Sequence, residues 1–274
     1  MQIQCKGKLV DLSQPKVMGI INLTPDSFYS GSRQQQTDEV LNQCEKMLSE
    51  GADFIDLGAC SSKPGAAEVS ETEEMQRLLP ALEELTKTFP TALFSIDTYR
   101  ARVAAKSLDR GAAIINDISA GDLDPEIMTT VGRFQAPYIA MHMQGTPQNM
   151  QNNPEYKEDI IKTLMYYFSQ KINAAYAAGI NDIVLDPGFG FGKTLEHNYE
   201  MLKKFDHFHI LKQPLLAGVS RKSMIYKLLG NTPETALNGT SVAHTLALQK
   251  GAHILRAHDV LEAKECIKIL QAVQ

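Results

Sequence analysis

The feature that most constrains this fold is a regular alternation of short apolar runs with amphipathic helical segments. Eight such runs occur, the first at residues 16–22 and the last within 249–259. Their apolar character is continuous rather than alternating, which is typical of strands buried on both faces of a parallel sheet. The alternation predicts an α/β fold, a (β/α)8 TIM barrel, and a doubly wound open sheet is the main alternative.

Start and stop signals predict where the helices lie. Four helical patterns stop at a glycine, which supplies the left-handed conformation that follows a helix C-terminus: Gly51, Gly111, Gly179 and Gly251. The stretch SETE at 70–73 is a capping box, and NP at 153–154 and TP at 232–233 each pair an N-cap residue with proline at the first helical position. Residues 1–13 precede the first barrel strand and are predicted to form a short hairpin across the barrel bottom. Because no linker-like segment interrupts the pattern, residues 1–274 are predicted to form a single domain.

Composition excludes several classes of function. A net charge of -5 argues against broad binding to a nucleic-acid backbone. The four cysteines form no C-x-x-C pair, so neither a zinc ribbon nor a thioredoxin motif is expected. Their scatter indicates reduced thiols in a cytoplasmic protein. The sequence contains no apolar run of membrane-spanning length, and its N-terminal segment lacks the apolar core of a signal peptide.

The glycine-rich stretch DIVLDPGFGFGKT at 182–194 does not fit a nucleotide-binding loop. Pro187 stands where a phosphate loop of the Walker type needs its first glycine, and Lys193 stands where a dinucleotide fingerprint needs its third. The stretch therefore needs another explanation. The family resemblance described below implies a tight turn beyond a strand, which leaves Asp186 facing the site.

Polar residues stand at the predicted carboxyl ends of all eight runs, where a barrel of this kind carries its chemistry. Carboxylate and amide groups suit the N–H groups of a heterocycle, and the cationic groups suit an anion such as pyrophosphate. Arg256 and His258 are two residues apart on one strand, so both point to the same side. Asn22 offers a neutral oxygen to Mg²⁺, whose other ligands would be phosphate and water. The full set is Asn22, Ser61 to Lys63, Asp97, Asn116, His142 to Gln144, Asp186, Ser220 to Lys222, Arg256 and His258.

Some of these residues also have purely structural interpretations. Asp97 can cap the helix that begins near residues 99–100, and Asn116 can be a turn residue. His142 lies in an apolar run between two methionines and is predicted to be a packed core histidine. Neither a Ser-His-Asp order nor a Cys-His pair stands out, so no covalent nucleophile is predicted.

Nine motifs, in order and with fitting gaps, resemble the dihydropteroate synthase family over about residues 16–260. They are GIINLTPDSFYSG (19–31), SSKPGA (61–66), SIDT (95–98), INDIS (115–119), MHMQGTP (141–147), DPGFGFGK (186–193), GVSRKS (218–223), NGTSVAH (238–244) and RAHDV (256–260). The fold of that family is a (β/α)8 barrel. The resemblance implies that the amine of p-aminobenzoate displaces pyrophosphate from 6-hydroxymethyl-7,8-dihydropterin pyrophosphate, with Mg²⁺ assisting, to form 7,8-dihydropteroate for folate biosynthesis.

The resemblance also implies a role for each matching residue. Loops at 23–36 and 59–69 would close over p-aminobenzoate, sulfonamides would compete with it, and the protein would form a homodimer. The helix that begins within 220–223 would direct its N-terminus at the p-aminobenzoate carboxylate. Lys222, Arg256 and His258 would be the catalytic residues. The implied binding sets are Asp97, Asn116, Asp186 and Lys222 for the pterin; Ser62, Lys63, Arg256 and His258 for pyrophosphate; Pro64, Phe191 and Ser220 for p-aminobenzoate; and Asn22 for Mg²⁺.

Two departures from the family pattern affect these expectations. The second loop, usually G-G-E-S-T-R-P-G, reads GACSSKPG at 58–65, and Ser30 stands where the first loop usually has aspartate. Lys63 keeps the charge of the usual arginine but loses its two-pronged phosphate geometry, so pyrophosphate binding is expected to be weaker.

Two rival functions remain open. A methyltransferase that binds methyltetrahydrofolate on the same barrel would keep Asp97, Asn116 and Asp186, without needing the cationic set. A catalytically silent relative would bind pterins without turnover.

Overall fold

The computed structural model describes residues 1–23, 33–60, 69–151 and 154–273. An antiparallel hairpin, β1 (Gln2–Cys5) and β2 (Lys8–Asp11), comes first. The parallel strands that follow are β3 (Lys16–Asn22), β4 (Phe54–Gly58), β5 (Phe94–Asp97), β6 (Ile114–Asp117), β7 (Tyr138–Met141), β8 (Ile183–Asp186), β9 (Leu216–Ala217) and β10 (Ile254–Ala257). The helices are α1 (Arg33–Ser49), α2 (Glu71–Thr88), α3 (Ala101–Leu108), α4 (Ile127–Phe134), α5 (Ile160–Ala177), α6 (Leu195–Lys203), α7 (Ser223–Leu229), α8 (Leu237–Gln249) and α9 (Val260–Ala272).

The eight parallel strands form a nearly closed barrel. Their order is β8-β7-β6-β5-β4-β3-β10-β9, so chain neighbours are sheet neighbours except where β10 pairs with β3. The two ends meet at a parallel bridge between Leu185 and Leu215. This closure confirms the predicted barrel and shows that the open-sheet alternative is wrong.

Strand geometry explains the continuous apolar runs. Alternate residues of each strand face the barrel interior and the surrounding helices. In β4, for example, Ile55 and Leu57 pack outward, whereas Phe54 faces inward. Both directions are buried, so the apolar character does not alternate along the strand.

The N-terminal hairpin lies beneath the barrel, as predicted. Its residues Ile3 and Cys5, and Leu12 just after it, join the inward-facing residues near the amino ends of the strands in one cluster. The barrel members of this apolar floor are Met18, Phe54, Ala113, Ile114, Ile139, Val184, Leu216 and Ile254.

Most predicted helix boundaries are confirmed, and one is wrong. Gly51, Gly111, Gly179 and Gly251 follow helices with φ of +98°, +89°, +86° and +84°. The Ser70 side chain accepts from the N–H of Glu73 at 3.2 Å, and Thr232 caps a short 3-10 helix at Pro233–Thr235.

The helix expected to begin at Pro154 begins instead at Ile160. Its N-cap is Asp159, whose carboxylate accepts from the N–H of Lys162 at 3.1 Å. The buried face of α5 starts at Ile160, whereas residues 157–159 are exposed, so packing begins six residues later than the proline. Along the described part of the chain, no helix is both long and apolar enough to cross a membrane.

Candidate active site

The barrel interior turns from apolar to polar towards the carboxyl ends of the strands. Alternate residues of a strand share a face, so the residue two positions after each floor residue also points into the barrel. On several strands that residue is polar. Thus Asp56 follows Phe54 on β4, and Arg256 follows Ile254 on β10. The other inward polar residues of this layer are Ser95, Asp97, Asn116 and Asp186.

Arg256 lies at the centre of this polar layer. Its Nε donates to Oδ2 of Asp56 at 2.7 Å, and its Nη2 donates to Oδ2 of Asp97 at 2.9 Å. Burial opposes the charge, but Asp56 and Asp97 outweigh it and raise the pKa of the guanidinium. Arg256 therefore lies inside the polar layer, paired with two carboxylates, and its predicted role in pyrophosphate binding stays a prediction.

Asp97 faces the interior rather than capping a helix. Burial raises the pKa of Asp97 to about 7, with Arg256 opposing the shift and Asp56 adding to it. The N-cap of α3 is Arg100, and the N–H of Ala101 bonds to Asp124 at 2.7 Å. The helix-cap alternative for Asp97 is therefore wrong.

Asn116 belongs to strand β6 and not to a turn. Its Nδ2 donates to Oδ2 of Asp56 at 2.9 Å, and the side chain is buried. One oxygen of Asp56 thus accepts from both Asn116 and Arg256. The turn alternative for Asn116 is wrong.

Asp186 ends β8 and is followed at once by the glycine turn. Its Oδ1 accepts from the N–H of Gly188 at 2.8 Å, and burial raises the pKa of Asp186. Gly188, Gly190 and Gly192 have φ of +73°, +82° and +62°. A side-chain carbon added at Gly188 would lie 2.0 Å from the carbonyl oxygen of His142. The predicted tight turn is confirmed, and at Gly188 both its conformation and its close packing require glycine.

Lys222 enters the site from the segment after β9. Its Nζ donates to the carbonyl oxygen of Phe189 and lies 4.5 Å from the centre of the Phe191 ring. Burial lowers the pKa of Lys222 to about 8, with Asp186 opposing the shift and Arg256 adding to it. Helix α7 begins one residue later, at Ser223, and Lys222 is its N-cap.

Ser220 and His258 form a pair at the rim. Ser220 Oγ lies 3.0 Å from Nδ1 of His258, and the backbone N–H of His258 donates to the same oxygen at 3.1 Å. Although the residue is exposed, partial desolvation and then the charge of Arg256 lower the pKa of His258 to about 4. The ring is therefore largely neutral near pH 7 in the protein without its substrate, and the predicted role of His258 in pyrophosphate binding stays a prediction.

The remaining predicted residues divide into three groups. Asn22 is exposed at the end of β3, beside Gly58, which neighbours Asp97 across the sheet. His142 is buried, as predicted, at 6% exposure. Ser62, Lys63 and Pro64, with most of the predicted loops at 23–36 and 59–69, lie outside the described residues, so the predictions about them stay predictions.

Two residues of the site, Asp56 and Lys193, are not identified from the sequence. One residue that is predicted from the sequence, Arg221, is placed by the structure outside the polar layer. Asp56 is fully buried, and its signal was a lone carboxylate inside the buried run FIDLG. Lys193 is 4% exposed, and no pattern in the sequence distinguished it from a surface lysine. Arg221 instead has a structural role, because its guanidinium pairs with both oxygens of Asp259 at 2.8 and 2.9 Å.

Known proteins resemble the chain over almost all of its length. A model of the family described as pterin binding enzyme matches residues 18–258. The dihydropteroate synthase of Escherichia coli strain K12 is 41% identical over 274 residues, covering 99% of this chain and 96% of that relative. The dihydropteroate synthase of Bacillus subtilis is 36% identical over 260 residues, covering 94% of this chain and 88% of the relative.

Solved structures agree with these relatives. A Yersinia pestis dihydropteroate synthase in complex with a sulfonamide drug matches with a TM-score of 0.93 at 42% identity, covering 100% of this chain and 99% of that one. A Xanthomonas albilineans dihydropteroate synthase with 4-aminobenzoic acid matches with a TM-score of 0.92 at 35% identity, covering 100% and 98%. The family model, the relatives and the solved structures agree over almost the full length of the chain. The chain therefore belongs to the pterin binding enzyme family and groups with its dihydropteroate synthases.

Proposed function

We propose that this chain condenses 6-hydroxymethyl-7,8-dihydropterin pyrophosphate with p-aminobenzoate, releasing pyrophosphate and forming 7,8-dihydropteroate. The observation that carries the proposal is the polar layer above the apolar floor. Its three inward carboxylates, Asp56, Asp97 and Asp186, share the interior with the cations Arg256 and Lys222. Such a layer suits a substrate that is a polar heterocycle at one end and an anion at the other.

The pterin would lie among Asp97, Asn116, Asp186 and Lys222. Carboxylates accept paired N–H bonds from an amidine-like ring edge, and Asp186 is already fixed by the N–H of Gly188. Lys222 would donate to a ring oxygen or nitrogen. Asp97, Asn116 and Asp186 lie on strands, and Lys222 is held at the N-cap of α7, so we expect the pterin to bind with little rearrangement of these four residues.

The pyrophosphate would lie towards the rim, against Arg256 and His258, with Ser62 and Lys63 completing the set. Arg256 is held in place by Asp56 and Asp97, so its guanidinium is oriented before the substrate arrives. His258 is neutral in the free protein, and the charge of a bound pyrophosphate would raise its pKa and favour protonation.

The p-aminobenzoate would occupy the space beside Phe191 and Ser220, with Pro64 on its other side. The ammonium of Lys222 over the Phe191 ring fixes one wall of this space. The carboxylate of p-aminobenzoate would point towards the first turn of α7. The Xanthomonas albilineans structure with 4-aminobenzoic acid and the Yersinia pestis complex with a sulfonamide drug support binding of p-aminobenzoate and of sulfonamides by this chain.

Mg²⁺ is compatible with the amide oxygen of Asn22 as its single protein ligand. The described residues hold no group of three His, Cys, Asp or Glu side chains suited to a metal ion. Asn22 supplies a hard amide oxygen at the rim, and Mg²⁺ accepts one or two protein ligands when phosphate oxygens and water provide the rest. Asn22 would therefore hold the ion, which when bound neutralises charge on the pyrophosphate.

Catalysis in this arrangement rests on orientation and charge. The C–O bond breaks, pyrophosphate leaves with both electrons of that bond, and the electron-rich dihydropterin delocalises the positive charge left on the methylene carbon. The nitrogen of p-aminobenzoate then forms a bond to that carbon. The attacking amine then loses a proton to solvent or to the leaving anion. Arg256, Lys222 and a protonated His258 stabilise the growing negative charge. An aromatic amine is a sufficient nucleophile, so the residues need only position the reactants.

The test follows pyrophosphate and dihydropteroate together. Purified protein is mixed with dihydropterin pyrophosphate, Mg²⁺ and p-aminobenzoate, and Asp186→Asn is run beside it. Amine-dependent pyrophosphate release that falls at least about a hundredfold in the variant supports the proposal. Pterin binding without turnover would support a silent relative instead.

A homodimer in the cytoplasm is part of the proposal. Apolar side chains on three adjacent helices support the dimer: Leu228 and Leu229 on α7, Val242 and Leu246 on α8, and Leu261 and Ile269 on α9. In particular, Val242 and Leu246 are 54% and 45% exposed on one face of α8. We expect V242K/L246K to sediment as a monomer, while Y166K, on α5, leaves the mass unchanged. Equal masses for the two variants would contradict the assignment.

A further inference from the structure

Lys193 is a buried lysine that the proposed reaction does not use. It is 4% exposed, and no described carboxylate lies within ion-pair distance of its nitrogen. Burial lowers the pKa of Lys193 well below its ordinary value. A lysine is rarely buried unless it is paired, because its charge loses the solvation of water. The contacts that replace water at this nitrogen therefore indicate what the side chain does.

Three acceptors surround Nζ of Lys193. They are Nδ1 of His142 at 3.0 Å, the carbonyl oxygen of His142 at 3.2 Å, and the carbonyl oxygen of Phe191 at 2.9 Å. Three acceptors match the three hydrogens of an ammonium, which favours the protonated form against the effect of burial. Burial, then the charge of Lys193, lowers the pKa of His142 well below its ordinary value, so its ring stays neutral and Nδ1 can accept.

These contacts join the ends of two neighbouring strands. His142 directly follows β7, and Phe191 lies in the glycine turn after β8. The His142 ring is itself fixed by the edge of Tyr167, at 4.8 Å and 89°. On the other side of the turn, the Tyr156 hydroxyl donates to the carbonyl oxygen of Gly192 at 2.8 Å. Lys193 thus connects a rigid aromatic cluster to the backbone of the turn.

The turn carries the aromatic wall of the site. The Phe191 carbonyl accepts from Lys193, and the Phe191 ring faces the ammonium of Lys222 at 4.5 Å. Three glycines in the turn leave its backbone with few intrinsic restraints. Its shape is therefore set by contacts such as the one that Lys193 makes.

We propose that Lys193 is a positioning residue for p-aminobenzoate, which fixes the Phe191 wall by holding the glycine turn against the end of β7. This inference rests on the proposed function. Of the proposed pterin contacts, Asp97 and Asn116 lie on other strands, and Asp186 and Lys222 bond to the turn at Gly188 and Phe189, before Phe191. Lys193 bonds to the carbonyl oxygen of Phe191 itself, so its main effect should fall on the second substrate. A purely structural role would lower stability and leave the ratio of the two KM values unchanged.

The test compares K193M, which keeps the length and removes every donor, with K193Q, which keeps two donors. We expect K193M to raise KM for p-aminobenzoate about tenfold, as the loss of a buried charged hydrogen bond would, and to change KM for dihydropterin pyrophosphate less than about twofold. K193Q should give an intermediate increase and keeps the test possible should K193M fold poorly. Amide hydrogen exchange at residues 187–194 should be faster in K193M than in the wild-type protein.

The matched control is Y138F. It removes a buried hydrogen bond of 2.5 Å from Tyr138 to Asp117 on the outer side of the barrel, so it tests the effect of lost stability alone. Its two KM values should both stay unchanged. Equal changes in both KM values of K193M, no change in either, or the same split in Y138F would overturn the positioning role alone. A wild-type protein without turnover would overturn the proposed function, and this inference with it.

Discussion

At the scale of single residues, Asp56 is the least expected feature of the site. It is fully buried, yet its Oδ2 alone serves Arg256 and Asn116, while Oδ1 has no hydrogen-bond partner among the described residues. A buried acceptor without a partner is unfavourable unless water or a ligand reaches it. Through its Oδ2, Asp56 orients both Arg256 of the proposed anion site and Asn116 of the proposed pterin site.

Replacing Asp56 by asparagine should weaken the use of dihydropterin pyrophosphate. The variant leaves Arg256 with Asp97 as its remaining ionic partner in the layer, so the guanidinium loses its fixed direction. We expect kcat/KM for this substrate to fall by about ten- to a hundredfold. Steady-state kinetics with p-aminobenzoate in excess measure the change.

The control for this change is D53N. Asp53 pairs with Lys16 at 3.5 Å and Lys264 at 2.6 Å outside the barrel, so it loses a comparable set of ion pairs. Its kcat/KM should match that of the wild-type protein. If kcat/KM for dihydropterin pyrophosphate were the same in D56N and D53N, Asp56 would have no role in orienting Arg256.

The pH dependence of turnover should be bell-shaped and narrow. The carboxylate of Asp97, with a pKa of about 7, must be ionised to accept an N–H, so activity rises as the pH passes 7. The ammonium of Lys222, with a pKa of about 8, must be protonated to donate, so activity falls as the pH passes 8. We expect kcat/KM for dihydropterin pyrophosphate to peak between the two.

The variant D97N separates the two limbs. It should flatten the acidic limb and keep the alkaline one, although the peak itself will be lower. An acidic limb that persists near pH 7 in D97N would assign that titration to another group.

At the scale of helices and strands, most of the fold could be predicted and part of the site could not. Continuous apolar runs and capping glycines locate strands and helices because both signals are local. Asp97, Asn116 and Asp186 were found because they stand at strand ends, which a barrel brings together. Asp56 and Lys193 were missed because their roles depend on burial and on partners distant in sequence, such as Arg256 and His142.

The predicted start of α5 at Pro154 is wrong for a related reason, since the helix begins where its buried face begins, and this difference can be tested. The side chain of Asp159 caps the helix, whereas Pro154 precedes it by six residues. We expect D159A to lower the free energy of unfolding by about 1 kcal/mol, and P154A to leave it unchanged. Urea titrations measure both, with D159N as the control that keeps a capping oxygen. A larger loss for P154A than for D159A would restore the start at Pro154.

At the scale of the whole molecule, the site is built at the expense of stability. The native pKa of Asp186 lies above its unfolded value of 3.8, so the native state binds more protons between the two values. Stability contributed by this group therefore falls as the pH rises through that window. The neutral side chain of an asparagine does not have this dependence.

The inactive variant D186N should consequently melt at a higher temperature than the wild-type protein at pH 8. For a chain of this size the gain is about 2–4 °C per kcal/mol. The difference should shrink as the pH falls and should vanish only below 3.8, where the wild-type carboxyl is protonated in both states. Calorimetry across this pH range measures it, and a lower melting temperature for D186N at pH 8 would contradict the argument.

The hairpin beneath the barrel affects the order in which substrates bind and the route by which the product leaves. Among the described residues, Ile3, Cys5 and Leu12 close the amino end of the barrel, so we expect substrates to enter and leave at the carboxyl ends of the strands. Whatever lies deepest must arrive first and leave last. The pterin substrate would therefore bind before p-aminobenzoate. The product, 7,8-dihydropteroate, would leave through the same opening by which the pterin entered.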